Sequence, residues 1–192
     1  MVTVSVKSKD RMAALTKAIK ELAHKEVLVG IPEDKSSREN GRDKINNAEL
    51  LYIHTHGVRK QEMIQSMNVN IAGGMSYSAA HSLYLKTHGS ALLNIPPRPV
   101  LEPAIQANKE AIGVQLASAS RAAIDGRPGQ CVTALNKAGM IAESAAKGWF
   151  EKPENHWKPN SPKTIKRKGS DSPLIDTGEM RKSITYVVED KP

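Results

Sequence analysis

The run Ile95-Pro96-Pro97-Arg98-Pro99-Val100-Leu101-Glu102-Pro103 sets four prolines within nine residues. Each proline fixes its own φ and biases the residue before it toward extended backbone. The segment therefore reads as a rigid strut, neither helix interior nor central strand, and whatever the chain builds must be arranged on either side of it. Pro103 suits the first turn of a following helix, and Ile105, Ile112, Leu116, Ala119 and Ala123 carry an apolar stripe to about Ile124. Asp125-Gly126-Arg127-Pro128-Gly129 then breaks the helix. A second helix is predicted from Gln130 to Trp149, with Val132, Leu135, Ala138, Ile141, Ala142 and Ala145 on one face, giving an antiparallel pair.

Ahead of the strut, Val2-Thr3-Val4-Ser5-Val6 alternates as a short strand would. Met12, Leu15, Ile19 and Leu22 recur at helical spacing opposite Lys17, Lys20, Glu21 and Lys25. Val27 to Ile31 is a β-branched run ended by Pro32 and is expected to be a buried strand. Glu33 to Lys44 is polar and reads as an exposed loop; Asn47 to His54 reads as a helix that Gly57 stops. The sequence from Ala48 to Gly57 is echoed 32 residues later from Ala80 to Gly89, with Tyr, Thr, His and Gly in matching places. Two copies fall short of a solenoid, so they read as two similar helix ends. Between them Gly73-Gly74 interrupts any continuous helix, so residues 59–94 are expected to form an inserted arm or loop, either flexible or a hairpin that orders against a neighbour.

Beyond Phe150 the composition shifts to Pro, Asn, Ser and Lys, which predicts a basic loop over residues 151–172. Asp176-Thr177-Gly178-Glu179 reads as the capped start of a short helix reaching Ser183, followed by a closing strand from Ile184 to Val188. The expected fold is α+β: one domain over residues 1–192, with a small, mainly antiparallel sheet packed against two or three helices.

Several function classes are excluded by composition. Seven aromatic residues leave few rings for stacking bases, and the single Cys131 offers neither an intrachain disulfide nor a zinc pattern; it reads as a small buried residue. No signal peptide is expected, and the longest uncharged stretch, Met63 to Leu85, is too polar to span a bilayer. Phosphate-binding, nucleophile-elbow, metalloprotease and dinucleotide motifs are missing. His54, His56, His81 and His88 invite a metal site, but no cysteine or fixed carboxylate spacing supports one, and they read as capping or surface residues. No catalytic residue, metal or cofactor is expected.

The charge is informative. The chain carries +8 overall, and Lys158, Lys163, Lys166, Arg167 and Lys168 fall between His156 and Ser170 with no acid among them. Such a patch can neutralise phosphates without reading bases, or dock on an acidic protein face.

Two stretches together carry a resemblance: the Ile95–Ile105 strut, and Trp157 to Ser170 followed by Pro173-Leu-Ile-Asp176-Thr177-Gly178-Glu-Met180-Arg181-Lys-Ser183-Ile184. The chain resembles the neck or tail-completion proteins of tailed bacteriophages, which show a proline-arginine strut ending in Phe and an L-x-D-T-G-x-[LM]-x-x-S-I run. It departs from that pattern at Val100, where Phe is usual, and in a longer stretch between Gly57 and Ile95. The resemblance implies a non-enzymatic virion subunit, assembled in the host bacterial cytoplasm. It would form a ring, commonly a hexamer, between the head connector or head-closure protein and the tail terminator or tube, with DNA passing through the lumen.

In that setting Pro96, Pro97, Pro99 and Leu101 would stiffen the strut, and Arg98 would form an ion pair, either across subunits or within its own chain. Asp176, Thr177, Gly178, Arg181 and Ser183 would serve structurally, with Asp176 and Thr177 capping the last helix. Lys158, Lys163, Lys166, Arg167 and Lys168 would face the DNA channel or a neighbouring protein. The alternative is a basic protein that binds DNA without sequence preference; no recognition helix is evident for it. A nuclease or peptidoglycan hydrolase would need clustered acids, which are not seen.

Overall fold

The computed structural model describes residues 8–38, 45–59, 61–88 and 93–191. The expected strand Val2–Val6 and the second half of the expected loop Glu33–Lys44 lie outside the described residues. In chain order the elements begin with α1 (Ser8–Ala23), β1 (Lys25–Gly30), α2 (Asn47–His56) and β2 (Val58–Arg59). Next come α3 (Gln61–Ala72), α4 (Tyr77–His88) and β3 (Leu93–Ile95). After the proline run follow α5 (Leu101–Ala107), α6 (Lys109–Ile124) and α7 (Pro128–Trp149). The chain closes with α8 (Pro162–Lys168), α9 (Glu179–Ser183) and β4 (Thr185–Asp190). Helices dominate, and the strands pair antiparallel, β1 with β4 and β2 with β3, so the fold is α+β.

The contacts divide the chain into two compact units. The first takes the residues up to Gly30, Ala104–Ala145 and those from Thr185 onward. Its sheet runs in register from Lys25 opposite Asp190 to Gly30 opposite Thr185. Period-two alternation turns Val27 and Val188, which face each other, onto a cluster of Ala119, Ala122, Ala123, Cys131, Ala134 and Leu135, with Leu22 of α1 beside them. The sheet therefore packs on three helices, as expected. The other face is open: Leu28 is 46% and Val187 37% exposed, which corrects the expectation of a buried strand. A two-stranded sheet has one covered face here, and alternate side chains must leave it.

Small residues let these elements approach closely. A Cβ built on Gly139 of α7 would come within 2.2 Å of Tyr186 Cδ2, so the Tyr186 ring lies directly on the helix backbone. Tyr186 Oη donates to Asn136 Oδ1 at 3.2 Å, and Thr185 Oγ1 donates to Glu143 at 3.3 Å. The helix expected to run from Pro103 to Ile124 is broken at Asn108, whose side chain donates to the Ala104 carbonyl at 2.9 Å. Asn competes for backbone groups in this way and favours helix ends. The residues of α6 and α7 that share the core are those beside the connecting turn, where Gly126 adopts φ 71° and Arg127 N–H reaches the Ala122 carbonyl at 2.8 Å.

The second unit comprises Ile31–Pro103 and Ala146–Ile184. Its α2 starts with a capping box: Asn46 Oδ1 accepts from Glu49 N–H at 2.8 Å while Glu49 accepts from Asn46 N–H at 3.2 Å. Gly57, at φ 75°, ends it as expected. Within the stretch expected to be an arm, loop or hairpin, α3 and α4 form a helical hairpin. Gly73 and Gly74 make its turn, with Gly74 at φ 94°, and the β2–β3 pairing closes its base. Met67 of α3 and Ala80 of α4 are buried together against Ile71, Met75, Tyr77 and Tyr84. The two echoed segments are α2 and α4, and they pack on each other through Tyr52 and His81, whose rings meet edge-on at 5.6 Å.

Candidate functional site

The strut leads into the second unit's polar face. Val100 is fully buried, and the main-chain N–H of Arg98 donates to the His54 carbonyl at 2.6 Å, fixing the strut against the end of α2. The Arg98 side chain, 6% exposed, reaches the segment that follows α7. Its Nε and Nη2 donate to the Lys158 carbonyl at 3.1 and 2.7 Å, and Nη2 also to the Pro159 carbonyl at 3.3 Å. Trp157 returns the contact, donating from Nε1 to the Pro99 carbonyl at 3.2 Å while its ring meets Phe150 edge-on at 6.0 Å.

Arg98 thus clasps its own chain through carbonyl oxygens, where the sequence suggested an ion pair. A planar fork of donors matches two successive carbonyls, and this avoids burying a second charge. Burial lowers its pKa from the ordinary value.

Residues 151–172 are not a plain loop, which corrects that expectation. Ser161 accepts from Thr164 N–H at 3.2 Å, Pro162 occupies the first helical position, and Gly169 at φ 70° closes α8 with its N–H on the Ile165 carbonyl at 2.8 Å. The buried Asn160 donates to the Asp171 carbonyl at 3.0 Å and draws the two ends of this segment together. Lys158, Lys163, Lys166 and Arg167 are exposed. Lys168 is half-buried and donates to the Ser172 carbonyl at 2.8 Å. Burial lowers its pKa, Arg98 and Arg167 add to that, and Asp176 and Asp171 oppose it.

The C-terminal motif acts differently from the expected cap. Asp176 sits where its charge favours the Lys168 ammonium, and Thr177 Oγ1 alone reaches the helix start, accepting from Glu179 N–H at 3.3 Å. Gly178 is the residue that enters α9, with φ 79°, a conformation a side chain would strain. Arg181 pairs with Glu151 at 2.5 Å. Ser183 accepts from Asn47 Nδ2 at 3.0 Å, and the same Nδ2 donates to the Ser37 carbonyl at 3.0 Å. Asn47, 1% exposed, is therefore the tie between α2, α9 and the segment ahead of α2. Nothing in the sequence distinguished it from an ordinary helix-start residue.

His56 and His81 meet each other edge-on, with ring centroids 6.0 Å apart. His56 bonds the Tyr52 carbonyl at 2.9 Å and lies tilted against that ring at 4.1 Å, while His81 is buried against Tyr52 with 3.3 Å to its hydroxyl. Among the described residues no group of three or more His, Cys, Asp or Glu side chains is placed to hold a metal ion. His54 stands apart: its pKa is pushed down to about 4 by burial, reinforced by Arg98, Lys168 and Arg38. Cys131 is buried and unpaired in the core of the first unit.

No family model matches the chain. No curated protein and no solved structure matches it either.

Chemically, the arrangement presents exposed cations on a segment whose start is held by Arg98. Among the described residues no helix is long and apolar enough to cross a membrane.

Proposed function

We propose that this chain is a structural subunit of the neck of a tailed-phage virion, of the tail-completion type. The observation that carries the reading is the placement of the basic segment between the two motifs of the resemblance. Arg98 of the strut holds its start at Lys158 and Pro159, and Asp176 of the C-terminal motif acts on Lys168 at the end of α8. Four exposed cations are thereby carried on a braced support, which suits a role in assembly.

In this reading the subunits form a ring, a hexamer by the resemblance, around the DNA channel. The ring joins the head connector or head-closure protein to the tail terminator or tube. The protein is non-enzymatic, works without cofactor, and acts in the virion after assembly in the bacterial cytoplasm. Lys158, Lys163, Lys166 and Arg167 face DNA or a neighbour, and the strut residues Pro96, Pro97, Pro99 and Leu101 hold the angle between subunits.

Native mass spectrometry and negative-stain imaging of the purified protein, alone and with isolated tails at low and moderate salt, test the proposal. A ring, or particles seated at the tail end, is the expected result. A monomer that ignores tails and shifts duplex DNA would replace it with the sequence-independent DNA-binding reading.

A further inference from the structure

The helix α6 has two faces of different character. Ala119, Ala122 and Ala123 face inward onto the cluster with Cys131, Ala134 and Leu135. Helical periodicity lines up Glu110, Val114, Ala117, Arg121 and Ile124 on the opposite side, and all five are exposed, Val114 at 64% and Ile124 at 55%. A Cβ built on Gly113, at the edge of this stripe, would meet no atom within 4 Å, so the space in front of the helix is open there. Single exposed apolar residues are ordinary, but these recur at intervals of four, three, four and three, the spacing of a seam that packs on another helix.

Charge decides which helix fits. Glu110 lies one turn before Val114, in the first turn of α6, and Arg121 lies one turn after Ala117, in the last. Two copies of α6 running antiparallel, about a two-fold axis midway between Val114 and Ala117, set Val114 of each against Ala117 of the other. The same axis sets Glu110 against Arg121 at both ends of the contact. A parallel pairing would instead oppose Glu110 to Glu110 and Arg121 to Arg121, and like charges facing each other are unfavourable. The seam is thus complementary to itself in one orientation. Gly113 and Ala117 at its middle let the axes approach at the short end of the usual range of about 8–10 Å.

We propose that the outer face of α6 is a self-association surface, on which a second copy of this chain docks its own α6 antiparallel. Such a contact closes on two copies, whereas a cyclic ring is built from head-to-tail contacts, so the proposal does not rest on the neck reading. One helix of 16 residues offers less than the roughly 800 Å² per partner of a standard interface, and the dimer is accordingly weak, with a dissociation constant of about a micromolar or above.

Sedimentation of the full chain over about 5–500 µM tests it, and a monomer–dimer equilibrium is expected. Val114→Lys, on an exposed side chain and first shown to be folded by thermal melting, is expected to weaken association by about tenfold or more. Glu110→Arg and Arg121→Glu should each be monomeric where the unaltered chain is dimeric. Charge reversal at a helix end also opposes the helix dipole, so the decisive readout is the equimolar mixture of these two variants. In it both opposed pairs are again of opposite sign, and dimers containing one of each are expected. A chain that stays monomeric over the whole range would overturn the proposal. So would a dimer or larger assembly that Val114→Lys leaves intact, which would place self-association on another face, or a mixture that does not recover.

Discussion

Gly139 shows how much one hydrogen in place of a methyl can decide. Its α-carbon is where the Tyr186 ring rests on α7, and a Cβ would lie 2.2 Å from Cδ2 and 2.6 Å from Cγ, atoms close to the tyrosine's own backbone. Helix propensity favours Ala over Gly by up to about 1 kcal/mol. Overpacking at such a contact costs about 1–3 kcal/mol. Gly139→Ala is therefore expected to lower stability in urea unfolding despite its better propensity. A second residue-scale effect belongs to His54. Its folded pKa, about 4, lies below the ordinary 6.5, so the unfolded chain takes up a proton first as pH falls. Stability from this group is complete above about pH 6.5 and is lost as pH falls to about 4, a change on the order of 2–3 kcal/mol. Urea midpoints at a series of pH values should show that slope, and His54→Gln should remove it.

At the scale of the element, α8 was legible but hidden. Ser161, Pro162 and Gly169 are a helix start and stop, yet the run of lysines between them and the prolines around them read as a solvated loop. Ser161→Ala removes the cap and is expected to cost about 1 kcal/mol, seen as faster amide exchange at Thr164 and the following turn while the rest of the chain is unchanged. The hairpin α3–α4 is the same lesson with weaker signals. Gly73-Gly74 did mark a turn, but Ser, Asn and Gln between the apolar residues blurred the helical stripe, and the short β2–β3 base pairs residues far apart in sequence. Elements with clear periodicity, α1, α7 and the β4 strand, needed no such help. The break at Asn108 did: a local hydrogen bond to the Ala104 carbonyl outweighed a continuous apolar stripe.

For the whole molecule of net charge +8, five cations fall between His156 and Ser170, the segment whose start Arg98 holds. Changing Lys163, Lys166 and Arg167 together to Gln touches only exposed side chains, so unfolding should move by no more than about 0.5 kcal/mol per site. If these residues face DNA or a neighbour, as proposed, virion assembly or DNA retention falls in the variant; an unchanged titre would remove them from that role.

What residue order alone determined are the features that depend on neighbours within a few positions. These are the proline strut, the amphipathic helices, the turn at Gly126, the closing strand, and the placement of charge in one stretch. Local sterics and periodicity are enough for these. What only the tertiary structure decided are the partners: Arg98 on the Lys158 and Pro159 carbonyls, Asn47 between Ser37 and Ser183, and Tyr186 on Gly139. Each joins segments tens of residues apart, and a side chain's donors, burial and charge find their partners only when the packing of distant segments brings those groups within about 3 Å.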